Sequence, residues 1–156
     1  MNNYCRYALH QIRVAIDSLV ELVDCLEEHD LQQRPTAAKH SVGELLEHIA
    51  TICRADFYIA DGANQEEMAT IYSTVSLISK EEIKEALLSN YTFLQERFME
   101  FNEEELHMEI TSYWGVTYSR YEWLVETTVH LYHHRGQLHS ILVHCYGLDL
   151  NAQLFE

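Results

Sequence analysis

Ser119-Arg120-Tyr121-Glu122-Trp123-Leu124-Val125-Glu126-Thr127-Thr128-Val129-His130-Leu131-Tyr132-His133-His134-Arg135-Gly136-Gln137-Leu138-His139 is a helix that carries its own start signal. Its first four residues match the S-x-x-E capping box. There the serine oxygen accepts from the N3 amide while the glutamate reaches back to the cap's own amide. Behind the box, apolar side chains recur every three or four residues as far as Tyr146. Gly147 then stands at the left-handed position where glycine ends helices easily. The reading is one long helix over about residues 120–146.

Working outward, Ser41-Val42-Gly43-Glu44 and Ser79-Lys80-Glu81-Glu82 are boxes of the same kind. They predict a second helix over about Val42–Asp61, stopped by Gly62, and a third over about Lys80–Phe101. The third places Ile83, Leu87, Tyr91, Leu94, Phe98 and Phe101 on one face. No box opens the first helix. Its residues Tyr4, Ala8, Ile12, Ala15, Leu19, Leu22 and Leu26 nevertheless step by three and four, predicting a helix from about Tyr4 to Glu28 that ends before Pro35. Four amphipathic helices bury their stripes by packing together, so the expected fold is all-α, a four-helix bundle forming a single domain over residues 1–156. The short link between the first two helices suits antiparallel neighbours. The segment Gly62–Ser79, rich in polar and small side chains, is long enough to run the length of the bundle and leave helices two and three parallel. Leu106–Ser119, β-branched and aromatic around Gly115, reads as an extended excursion or small hairpin over one mouth of the bundle.

Composition agrees and excludes several functions. Five Gly and one Pro in 156 residues supply few turns for a sheet-rich fold. A hydrophobic content of 47% is too high for a disordered chain. Ten Lys and Arg against 25 Asp and Glu leave a net charge of −15, which repels both phosphate backbones and anionic membranes. Nucleic acid and membrane are therefore not expected partners. No apolar run approaches the roughly 18–20 residues of a membrane span. The N-terminus shows no basic region leading into an apolar core. Cys5, Cys25, Cys53 and Cys145 form no C-x-x-C and read as reduced thiols, mostly core filler, in a cytoplasmic protein.

The unusual number is ten histidines. At about 100° per residue, His130 and His134 lie about 40° apart on the fourth helix. Leu124, Thr127, Leu131, Leu138, Ile141 and Leu142 share their side of it. Both imidazoles therefore face the core, whereas His133, His139 and His144 point elsewhere. On the second helix, His48 shares a face with Leu45, Ile52, Ala55 and Ile59 and also looks inward. Three inward imidazoles, two of them at i and i+4, form a three-nitrogen metal site with open positions. The ordinary alternative is a polar network in which each imidazole hydrogen-bonds to a neighbour. The motif is not H-E-x-x-H, because Leu131 follows His130. Glu44 and Glu126 each sit one turn before a histidine. Each is a candidate orienting acceptor, fourth ligand or proton acceptor; the plainer readings are a helix cap and a solvated surface residue. His10, His29, His40 and His107 read as surface or loop positions.

Ser-Val-Gly-Glu-Leu-Leu-Glu-His-Ile at 41–49, followed by His130-x-x-x-His134-Arg135-Gly136-Gln137-Leu138, resembles the DinB family of DinB/YfiT-like metalloenzymes, over essentially the whole chain. The family's frequent tryptophan before the first stretch is replaced here by His40. The resemblance implies an up-down-down-up four-helix bundle. It implies a divalent metal, zinc or nickel, on His48, His130 and His134, and a homodimer. It also implies a metal-dependent transferase using a low-molecular-weight thiol of the bacillithiol type, which would attack an electrophile. The residues themselves leave a metal-dependent hydrolase and a non-catalytic, dimeric metal-binding bundle as alternatives. Tyr58, Tyr113, Trp114 and Tyr118 are candidates to shape a substrate pocket. Val125, Val129, Tyr132, Gly136 and Val143 form a second apolar stripe on the reverse of the fourth helix, the expected dimer surface.

Overall fold

The computed structural model describes residues 2–148 and 150–156. Its elements are α1 (Asn3–Asp24), a 3-10 turn (Glu28–Gln32), α2 (Val42–Ala60), α3 (Gln65–Ser73), α4 (Lys80–Glu100), α5 (Glu103–His107), β1 (Glu109–Thr111), β2 (Thr117–Ser119) and α6 (Arg120–Tyr146). The long helices α1, α2, α4 and α6 form the bundle. All three serines accept from the N3 amide, at Glu44, Glu82 and Glu122; Glu44 and Glu82 return to the cap amide, completing the first two boxes, whereas α6 has the serine half alone. Gly147 closes α6 at φ 65°. Fully buried Leu19, Leu46, Leu94, Leu124, Leu131 and Leu138 come from all four helices and meet in one core.

Side-chain contacts give the directions. Lys84 at the start of α4 pairs with Asp24 at the end of α1, and the Tyr91 hydroxyl donates to the Leu9 carbonyl, so these helices are antiparallel. Asn90 Nδ2 donates to the Ala50 carbonyl and Phe57 packs on Phe98, so α2 and α4 run parallel. His130 meets Asp56, and Arg120 meets Asp61, so α6 is antiparallel to α2. Tyr121 meets Tyr4 edge to face, and Tyr132 donates to the Gln11 carbonyl, so α6 is parallel to α1.

The link after α1 departs from the expected geometry. α1 ends at Asp24, not at Glu28, because Asp30 accepts from the Glu27 amide and starts a separate 3-10 turn. α1 and α2 each pack against α4 and α6, which places the pair across the bundle's diagonal instead of side by side. The connection is held by the Val42 amide donating to the Gln33 carbonyl. It also relies on Gly43, where a Cβ would lie 3.0 Å from the Leu31 carbonyl oxygen. Only glycine lets the turn seat that closely on the first turn of α2.

The Gly62–Ser79 connection contains a helix, α3, where only a polar link is expected. Asn64 caps it with Glu67 in a box of its own, and Met68 beneath it is buried against Trp123, Ala55, Ile59 and Ala60. Asn102 caps α5 in the same way. The 106–119 excursion is a hairpin, as expected, pairing Ile110 with Tyr118 and turning at Gly115, whose φ is 92°. Trp123 Nε1 donates to the Ile110 carbonyl, fastening the hairpin to the end of the bundle where α2 stops and α6 begins. Of the cysteines only Cys5 and Cys53 are buried; Cys25 and Cys145 are exposed. No helix among the described residues is long and apolar enough to cross a membrane.

Candidate metal centre

α2 and α6 cross so that His48, His130 and His134 come together at mid-bundle. Their ligand-capable atoms lie within 4.8 Å of one another, a group that could hold a metal ion. His48 Nε2 is 3.2 Å from His134 Nε2. The ring of His130 lies 5.3 Å from that of His48 and 4.9 Å from that of His134.

The far nitrogens of the α6 pair are held. His130 Nδ1 donates to Asp56 Oδ2 at 3.0 Å, and His134 Nδ1 donates to Gln137 Oε1 at 2.9 Å. A hydrogen on Nδ1 leaves Nε2 with a bare lone pair, the tautomer a metal requires. Burial first, then the neighbouring His134 and His130, push His48 down to about 4. Burial also lowers His134. His130 moves the other way, chiefly through its bond to the buried Asp56 carboxylate. Near neutral pH His48 and His134 are therefore uncharged, with two Nε2 atoms closely opposed. Tetrahedral ligation at 2.0–2.1 Å separates ligand nitrogens by about 3.3 Å, so the donor set fits a cation.

Asp56 and Gln137 were not among the residues singled out from the sequence. Each had a signal: Gln137 follows His134 by three on the same face, and Asp56 follows Ile52 by four and so shares its inward face. Arg135, in the same run of sequence, faces the other way. It donates to Ser18 Oγ and the Leu154 carbonyl and stacks on Tyr132 and Phe155. Its role is to bind α1, α6 and the C-terminal segment together.

The two candidate glutamates differ sharply. Glu44 Oε2 accepts from the Ser41 amide and Oε1 from Arg34 Nη2, both at 2.7 Å. The Arg34 guanidinium, followed by the Ser41 amide, holds its carboxyl down at about 2. It is the capping residue of the plainer reading, and a poor base. Glu126 is half-buried, not a solvated surface residue, and lies within 4.8 Å of Asp56 and His130. Burial first and then Asp56 raise its pKa. Such a carboxylate takes up a proton more readily than an exposed one.

His48 and His134 open onto a cavity of about 770 Å³, whose walls include His40, Leu45, Tyr72, Gln137 and Ile141. That is the size of small-molecule sites. The aromatic residues expected to shape it are elsewhere. Tyr118 and Trp114 pack on Trp123, Tyr113 on Trp114, and Tyr58 on Phe57 and Phe93. Their interplay closes the hairpin end of the bundle. Tyr72 from α3 supplies the aromatic wall instead, and His40, expected to be an ordinary loop residue, stands at its rim.

The chain belongs to the DinB superfamily, whose model matches residues 11–138. It is similar to the crystal structure of a protein assigned to the DinB family from Exiguobacterium sibiricum 255-15. The two share 35% identity over 99% of each chain, with a TM-score of 0.85. A DinB-like protein from Bacillus cereus ATCC 10987 shares the fold at 19% identity and a TM-score of 0.73, over 94% of this chain and 95% of that one. A mycothiol-dependent maleylpyruvate isomerase shares it at 12% identity and a TM-score of 0.65, over 97% of this chain and 64% of that one. No curated protein matches the sequence.

Proposed function

We propose that this DinB-superfamily protein holds a divalent transition metal, zinc or nickel, on His48, His130 and His134. We further propose that it transfers a low-molecular-weight thiol to an electrophile bound in the adjoining cavity. The observation that carries the reading is the convergence of three imidazoles, two of which, His130 and His134, have their outer nitrogens tied down so that their inner ones turn toward the shared point. The mycothiol dependence of one structural neighbour supports the choice of thiol chemistry. A divalent ion, when bound, supplies the Lewis acidity that makes a thiol acidic near neutral pH. Asp56 and Gln137 keep the α6 imidazoles aimed. Glu126, beside His130, accepts the proton released from the thiol. Leu45, Ile141 and Tyr72 keep the cavity apolar enough to hold an electrophile away from water.

Elemental analysis of wild type and His48→Ala, purified without an affinity tag, tests the ligand set. Equal metal content in the two would sink it. For the reaction, bacillithiol coupling to a model electrophile should exceed the uncatalysed rate and be lost in folded His130→Ala. Ester or amide turnover without thiol points to a hydrolase, and no turnover of either kind to a non-catalytic bundle.

A homodimer is the assembly we propose. Val125 and Val129 of the reverse stripe are exposed, as are Tyr4 and Tyr7 of α1, and a Cβ on Gly136 would meet nothing within 4 Å. Phe155 packs on Tyr132 of this stripe and on Arg135.

A further inference from the structure

The cavity beside the histidines does not end at Tyr72. A second chamber, of about 250 Å³, shares Thr51, Tyr72 and Val75 with it and runs on to Arg54 and Asn90. We infer that this inner chamber is a carboxylate subsite. On this reading Arg54 receives the carboxylate of a small acid whose reacting end lies at the histidines. The inference rests on the proposed function and names the chemistry of the molecule that site takes.

Arg54 is positioned as a receptor and not as a structural cation. Its Nε donates to Asn90 Oδ1 at 2.7 Å, and Asn90, itself buried, is oriented by donating Nδ2 to the Ala50 carbonyl at 2.8 Å. The face of the guanidinium lies 4.3 Å from the Phe93 ring centroid. Arg97 reaches the same ring but is paired with Glu100. One edge and one face of Arg54 are thus fixed. Among the described residues no carboxylate lies within ion-pair distance of it, and its two terminal nitrogens make no hydrogen bond to the protein. In a chain with 25 acidic residues, a half-buried guanidinium without an acidic partner is conspicuous. The free edge of such a fork matches a carboxylate in bidentate geometry. A single positive charge balances a monoanion and is too little for a phosphate dianion.

Geometry also sets the length of the ligand. Arg54 and His48 are six residues apart on α2, about 9 Å along the axis at 1.5 Å per residue. Tyr72, whose hydroxyl makes no hydrogen bond among the described residues, lines both chambers and offers a further polar contact for the connecting chain.

The test compares acids with their alcohols. In cobalt-loaded protein, 6-mercaptohexanoate and 6-mercaptohexanol are titrated by the sulfur-to-cobalt absorption band, which reports binding without turnover. The acid should bind about tenfold more tightly, as one charge-assisted contact allows, and Arg54→Gln should erase the difference while leaving the alcohol unchanged. In metal-free protein, hexanoate but not hexanol should shift the Arg54 Nε–Hε resonance if the carboxylate can arrive on a separate molecule. A preference confined to the mercapto pair means that one molecule carries both groups. Equal affinity of acid and alcohol in wild type, with no hexanoate shift, overturns the subsite, as does a preference that survives Arg54→Gln. The wild-type comparison needs no variant, so poor folding of Arg54→Gln does not shelter the idea. Absence of the sulfur band would instead tell against the histidine site, and the metal-free resonance would then decide the subsite alone.

Discussion

Asp56→Asn is the substitution that separates metal binding from folding. Asp56 is 7% exposed, and its carboxylate accepts from His130 Nδ1 at 3.0 Å. A hydrogen bond to a charged group contributes about 1.5–3 kcal/mol. An amide oxygen in the same place makes a bond about half as strong, so about 0.8–1.5 kcal/mol of orientation is lost. At 1.4 kcal/mol per tenfold, that weakens metal binding roughly 3- to 12-fold. Loss of a ligand-orienting partner generally costs about 10–100-fold, a range whose lower end this reaches. Should the amide turn its NH₂ group toward the ring, the tautomer reverses and the Nε2 lone pair disappears, so the effect can only be larger. The assay is the zinc Kd by competition with a chromophoric chelator near pH 7.5, with circular dichroism to confirm the fold. The His130 titration, followed by NMR in the metal-free variant, should move down, since the bond to Asp56 is the chief cause of its elevation. Unchanged zinc affinity in a folded variant would refute the view that Asp56 orients a ligand.

Three further outcomes follow from the same geometry. Glu44 has its pKa lowered from 4.5 to about 2 on folding. Its contribution to stability is therefore complete above about pH 4.5 and fades as pH falls toward 2; Glu44→Gln should lower Tm at pH 7, by a margin that shrinks below pH 4.5. Leu46 is fully buried in the shared core, and Leu46→Ala should cost about 2–5 kcal/mol in urea unfolding, with the proposed metal site intact in the surviving folded protein. Light scattering at micromolar concentration should show a dimer that Val129→Glu dissociates; a monomeric wild type removes that proposal.

The parts of the fold that could be read directly were those encoded locally. A capping box ties residues three apart, and an apolar stripe repeats every three or four, so helix starts and inward faces are present in short stretches. His48, His130 and His134 were selected by facing alone, and the structure brings them together. The helices α3 and α5 carry boxes too, but with Asn64 and Asn102 in place of serine, and a search for serine boxes passes over them. Diagonal placement of α1 and α2 had no local mark. It depends on how the 3-10 turn and Gly43 seat the link, which is a contact between segments.

Three-dimensional packing alone decided the surroundings of the histidines. Asp56 and His130 are 74 residues apart and meet because antiparallel α2 and α6 take one particular register. The same register sets His48 against His134, turns Arg135 toward α1, and opens the cavity toward Arg54. Periodicity states which way a side chain points from its own helix axis. It does not state which residue of another helix stands opposite, because that is settled by the summed packing of many side chains at once. The amino-acid sequence by itself therefore determined the helices and the inward histidines, while the tertiary structure decided the partners that make those histidines a site.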